Sequence, residues 1–86
     1  MNKVVGAVNS EARRRLSINV KRLRLERGMS QESLATACAF HRTYVYQMEH
    51  VIANVTLDVV DKLAMALHVD IGELFAPTPS HRKVST

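Results

Sequence analysis

Most of the side chains with real chemical capacity in this 86-residue chain are arginines, tyrosines and histidines crowded between positions 13 and 50. Their arrangement does not suit catalysis. There is no nucleophile spaced with a base, no carboxylate dyad and no glycine-rich loop to cradle a phosphate, so no enzyme is expected. His41, His50, His68 and His81 do not fall at ligand spacing with the single Cys38, so neither a metal nor any other cofactor is expected. Cys38 has no partner for an internal disulfide. No basic cluster adjoins it to lower its pKa, and it reads as a half-buried filler.

What remains is positive charge facing a polyanion. Twelve Lys and Arg oppose eight Asp and Glu, and the surplus is uneven. Nine basic and four acidic residues precede Val51, whereas three basic and four acidic residues follow His50. The first half is therefore the part able to engage nucleic acid electrostatically, unless its arginines merely solvate a helix. Apolar residues make up 47% of the chain and charged residues 23%, the composition of one small globular domain. No run approaches the roughly 18 apolar residues of a membrane span. The opening residues lack the apolar core of a secretory signal. A reduced, cytoplasmic setting is expected.

The elements that must position this charge can be read from periodicity. Residues 1–9 carry no sustained pattern and read as a flexible arm. Asn9 or Ser10 caps a first helix starting near Glu11, in which Ala12, Leu16, Val20 and Leu23 form one face. Gly28 supplies the left-handed residue that ends it. Ser30 caps a short second helix from Gln31 to about Cys38, with Leu34 and Ala35 inward. Glu32 falls one place early for a full capping box. After a tight connection at Ala39–Phe40, a third helix covers His41 to His50. Val45 and Met48 point inward there, and Arg42, Thr43, Tyr46 and Gln47 share the opposite face. Thr56 caps a fourth helix carrying Leu57, Val60, Leu63, Ala64 and Leu67. Asp70 with Glu73 has capping-box spacing for a last short helix ending at Leu74–Phe75. Residues 76–86, with two prolines, read as a flexible tail. With no alternating strand pattern, the fold expected is all-α: five helices forming one domain over residues 10–75.

A short helix, a tight turn and a second helix with a polar outer face make a helix-turn-helix candidate. Ala35 must be small for the two helices to cross closely, and Val45 and Met48 must be apolar to seat the second. The stretch QESLATACAFHRTYVYQME meets both requirements. With LRLERGMSQESLA before it, NVTLDVVDKLAMALHV after it and a closing IGELF, the chain from Leu16 to Phe75 resembles the Cro and phage-repressor type of domain, the XRE family. That fold is the compact, five-helix lambda-repressor-like one. Within the family, HRTYVYQMEH followed by NVTLD most resembles the controller proteins of restriction–modification systems. The sequence departs from the pattern at Ala39, Val51 and Val55, where the family favours Gly, Gly and Pro. It departs again at Ile52–Ala53, where the family often has a basic pair.

The resemblance implies site roles. Arg42, Thr43 and Gln47 would read bases: Arg bidentate to guanine, Gln to adenine, Thr offering its methyl to thymine. Gln31 would hold a backbone phosphate at the start of the second helix. Tyr44 and Tyr46 would contact phosphate or sugar through their hydroxyls, or else pack at the surface. His41 would make a backbone contact or serve as a cap. Arg24 would pair with Glu49, tying the first helix to the third. Arg13, Arg14 and Arg15 either reach flanking backbone or solvate the helix start; Lys3 and Arg82–Lys83 are weaker candidates.

One such motif reads too few base pairs alone, so a homodimer on palindromic double-stranded DNA is expected, with two dimers on tandem sites as an extension. The surplus apolar residues Met65, Val69, Ile71, Leu74 and Phe75, with Val59 and Ile52 nearby, are the expected dimer surface. No small-molecule ligand or membrane is implied. The expected function is a sequence-specific transcriptional regulator acting on its own operon. The alternatives are an antitoxin or phage-type repressor of the same fold, or a protein-interaction module that reuses the scaffold.

Overall fold

The computed structural model describes residues 10–51 and 53–78. The arm at residues 1–9, Ile52, Lys3, His81 and Arg82–Lys83 lie outside the described residues. Five helices follow in order: α1 (Glu11–Glu26), α2 (Gln31–Cys38), α3 (Arg42–Glu49), α4 (Leu57–Leu67) and α5 (Ile71–Leu74). There is no strand among the described residues.

Four of the five helices start where a side chain satisfies an otherwise orphan N–H. The Ser10 hydroxyl accepts from the Arg13 N–H, and Thr56 Oγ1 accepts from that of Val59. At α2 the capping box is complete, but its second partner is Ser33 rather than an acid. Asp70 caps α5 through the Gly72 N–H, so the spacing to Glu73 does not produce the expected box. His41 holds the cap position of α3 without a side-chain cap bond.

Gly28 leaves α1 with φ +66° and open space around its missing Cβ, so its backbone conformation is what favours glycine there. Ala39 takes the same left-handed conformation at φ 59° in the turn, and Val51 does so at φ 58° after α3. A left-handed residue with a Cβ costs roughly 1–2 kcal/mol, and a β-branched one is the less tolerated.

The core gathers Leu16, Val20 and Leu23 of α1 around Leu34 and Ala35 of α2, with Val45 and Met48 of α3. Val60, Leu63 and Leu67 of α4 and Leu74 of α5 close it. Cys38 is buried, not half-buried, and burial pushes its thiol pKa up. Ala12 is exposed, so the inward stripe of α1 begins one turn later than its spacing suggested. α2 packs on α3, α1 crosses behind α3, and α4 lies against α2 and α5.

The segment after α5 is tied down further than its composition suggested. Asn19 Nδ2 donates to the carbonyls of Leu74 (3.0 Å) and Ala76 (3.1 Å). Arg15 donates to the Phe75 carbonyl and Arg14 to Thr78 Oγ1. The segment 76–78 is therefore hydrogen-bonded to α1. Arg14 and Arg15 also grip Glu11, holding its carboxyl pKa at about 2.

Candidate nucleic-acid interface

α3 buries Val45 and Met48 and turns Arg42, Thr43 and Tyr46 outward, with Gln47 half-buried beside them. This division follows from sequence: positions 45 and 48 lie one turn apart on the apolar side, and 42, 43, 46 and 47 fall on the other. Gln31, at the start of α2, joins Arg42, Thr43 and Tyr46 around a shallow concavity. Residues separated by eleven or more positions thus form one polar surface.

Behind it sits a buried ion pair. Arg24 Nε and Nη2 donate to the two oxygens of Glu49 at 2.7 and 2.9 Å, and these side chains are 9% and 1% exposed. The remaining Arg24 nitrogen, Nη1, donates to the Met29 carbonyl at 2.9 Å. The bidentate bond to Glu49 raises the arginine's pKa against the opposing effect of burial. Two turns back along α1, Ser17 Oγ donates to the Glu49 carbonyl at 2.7 Å. α3 is therefore held to α1 through both the side chain and the backbone of one residue.

Two expected contact residues are engaged inside the molecule. Gln31 Nε2 donates to Glu49 Oε1 at 3.1 Å, so the amide expected to hold phosphate braces the ion pair. Its backbone N–H remains at the start of α2. The Tyr44 hydroxyl donates to the Asn54 carbonyl at 2.9 Å, and its ring meets Phe40 edge-on at 5.3 Å. Partial burial raises its phenol pKa. Tyr44 thus fastens the loop after α3, and its proton is not available for a phosphate. Tyr46 is exposed and stacks on His50 with ring centroids 4.0 Å apart. His41 is exposed at the head of α3.

The expected dimer residues divide. Met65 (75% exposed) and Ile71 (46%) stand outward, and Val69 and Phe75 are partly buried. Leu74 is fully buried in the core, so it cannot belong to an outer surface. Its main-chain carbonyl is taken by Asn19. Met65, Val69 and Ile71 line a groove between α4 and α5.

Sequence reasoning missed Ser17, Asn19 and the bracing use of Gln31. A signal existed for Ser17, which lies seven residues before Arg24 on the same face of α1.

A short α2, a left-handed turn and an outward-facing α3 on a buried ion pair define a helix-turn-helix domain. Residues 20–74 match the HTH_3 family model, described as helix-turn-helix, and the chain belongs to this family. The chain is 37% identical over 71 residues to a hypothetical transcription factor of Neisseria meningitidis, covering 83% of this chain and 67% of that protein. It is 43% identical over 56 residues to the control protein C.BamHI of Bacillus amyloliquefaciens, covering 64% and 69% respectively. Among solved structures, the restriction–modification controller C.AhdI of Aeromonas hydrophila superposes with a TM-score of 0.70 at 36% identity, over 73% of this chain and 96% of that one. The controller C.Esp1396I, solved as a tetramer on its natural 35 base-pair operator, gives a TM-score of 0.70 at 31% identity, over 78% and 88%. Among the described residues, no helix is long and apolar enough to cross a membrane.

Proposed function

We propose that this protein is a sequence-specific DNA-binding transcription regulator of the restriction–modification controller kind, and that it binds operator DNA as a homodimer. One observation carries the reading: Arg42, Thr43 and Gln47 face away from the core on a helix locked in place by Arg24 and Glu49. Such a surface fits the major groove, where Arg42 reads guanine, Gln47 reads adenine and Thr43 meets a thymine methyl. The backbone N–H of Gln31 offers a phosphate contact at the flank. Similarity to controller proteins, one of them solved on its operator, supports the same reading. In that controller, three consecutive residues (an arginine, a threonine and a tyrosine) have each been substituted, the order found here at Arg42, Thr43 and Tyr44.

The groove between α4 and α5 supports dimerisation, since exposed Met65 and Ile71 border it beside Val69. A two-fold pair sets its recognition helices about 34 Å apart, one turn of the duplex. The protein regulates its own operon by occupying a palindrome there.

The test starts with a duplex recovered by selection from a randomised pool. Substituting Arg42→Ala lowers affinity for that duplex and leaves affinity for a scrambled one much less changed, a discrimination of roughly 1–3 kcal/mol. Equal loss on both duplexes reduces Arg42 to a phosphate contact and removes its reading role.

A further inference from the structure

The arginines of α1 are not equivalent. Arg14 and Arg15 are bound to Glu11, Arg22 and Arg27 reach Glu26, and Arg24 is bound to Glu49. On α4, Lys62 lies over the Phe40 ring. Among the described residues, the cations without a side-chain partner are Arg13, Lys21 and Arg42. Arg42 is the reading arginine of α3.

Arg13 has a defined place. Positions 13, 17, 20 and 24 lie on one face of α1, because steps of four, three and four residues return close to the same angle. That face is the one fastened to the end of α3, through Ser17 at the Glu49 carbonyl and Arg24 at the Glu49 carboxylate. Arg13 stands one turn beyond Ser17. It shares a shallow groove with Asn54, Val55 and Leu57, in and just after the loop that leaves α3. Residues 51–56 contain no charged side chain, although they follow the recognition helix directly. A duplex seated on α3 brings a phosphate strand past each flank of that helix. At the α2 flank, the helix start at Gln31 can meet one. At the other flank, the loop offers no cation of its own.

We propose that Arg13 supplies this second contact, binding a DNA backbone phosphate beside the α3–α4 loop. The inference rests on the proposed DNA-binding function and adds a residue to it. Arg13 specifies no base; it fixes the register of the duplex across the far end of α3 and adds a counterion-releasing contact. Being unpaired, its guanidinium needs no ion pair broken before it binds. Its backbone N–H, not its side chain, donates to the Ser10 cap, so shortening the side chain leaves the start of α1 intact.

The experiment measures the anisotropy of a labelled duplex recovered by selection with the wild-type protein, and of a scrambled duplex, over a salt series. Arg13→Ala, Arg13→Lys and the charge control Lys62→Gln are compared, with circular dichroism confirming the helical fold of each. Arg13→Ala is expected to weaken both duplexes alike, by roughly 3- to 10-fold at moderate salt. The log–log salt slope should fall by about one contact. Arg13→Lys should restore most of the loss, and Lys62→Gln should leave the slope unchanged. An unaltered slope in Arg13→Ala, or a loss no greater than that of Lys62→Gln, overturns the proposal while the reading of α3 stands. If the wild-type protein selects no duplex, the DNA-binding function falls and the proposal with it.

Discussion

Two surfaces of this small domain are exposed for opposite reasons. Over α2 and α3, the outward residues Arg42, Thr43 and Tyr46 are mostly polar and rest on a buried bidentate ion pair between Arg24 and Glu49. Over α4 and α5, the outward residues Met65 and Ile71 are apolar and border a groove with no comparable brace. The first surface is fixed in angle before it meets anything, as a reader of hydrogen-bond patterns must be. The second is adaptable, since methionine repacks readily against whatever covers it. Exposure alone says little about function; what lies underneath separates the two.

The comparison can be broken most forcefully from beneath the first surface. Glu49→Ala leaves Arg24 buried without its carboxylate, and should cost about 3–5 kcal/mol in chemical denaturation. Affinity for the selected duplex should fall in the fraction that stays folded. A change below about 1 kcal/mol would mean the pair behaves as an exposed one and braces nothing.

Met65→Asp attacks the second surface instead. The side chain is exposed, so folding stability should barely move. Sedimentation across a concentration series should show dimerisation weakened by roughly 30-fold or more, the effect of losing an interface hot spot. An unchanged dimer would move the interface elsewhere on the molecule.

The smallest effect belongs to the joint between the two surfaces. Val51→Gly relieves a left-handed β-branched residue worth roughly 1–2 kcal/mol, against an entropic cost near 0.5–1 kcal/mol for the glycine. A net gain of about 0.5 kcal/mol should appear as a small rise in Tm, with DNA affinity unaltered. A fall in Tm would show that the valine's packing outweighs its strain.

How legible this molecule was in its sequence depended on the range of the signal. The stripes of α1, α3 and α4 follow from spacing within each helix, except that Ala12 and Leu57, at the first turns of α1 and α4, are exposed. The caps at Ser10, Ser30 and Thr56 follow too, because both partners lie within a turn. Ser33 as the box partner escaped notice because an acid was sought at that step. Leu74 was misassigned for a different reason: a four-residue helix is too short for periodicity to tell inside from outside. Gln31 meets Glu49 across eighteen residues, and Asn19 meets Ala76 across fifty-seven. Neither bond leaves a local trace. Pro77 and small polar neighbours made the last described residues look like a tail, although Arg14, Arg15 and Asn19 hold them. Among α1's arginines, the pairs with Glu11 and Glu26 lie within a turn and are local, whereas the pairing of Arg24 with Glu49 spans twenty-five residues.

Glu49 has a mechanical consequence. Its carboxylate takes hydrogen bonds from α1 and α2 at once while belonging to α3, so none of the three can tilt alone without stretching a short bond in a dry interior. The trio behaves as one stiff block. Whatever mismatch exists between this block and a double helix must be absorbed by bending, twisting or groove narrowing of the nucleic acid. Sequences that deform easily would then be favoured even at steps no side chain touches.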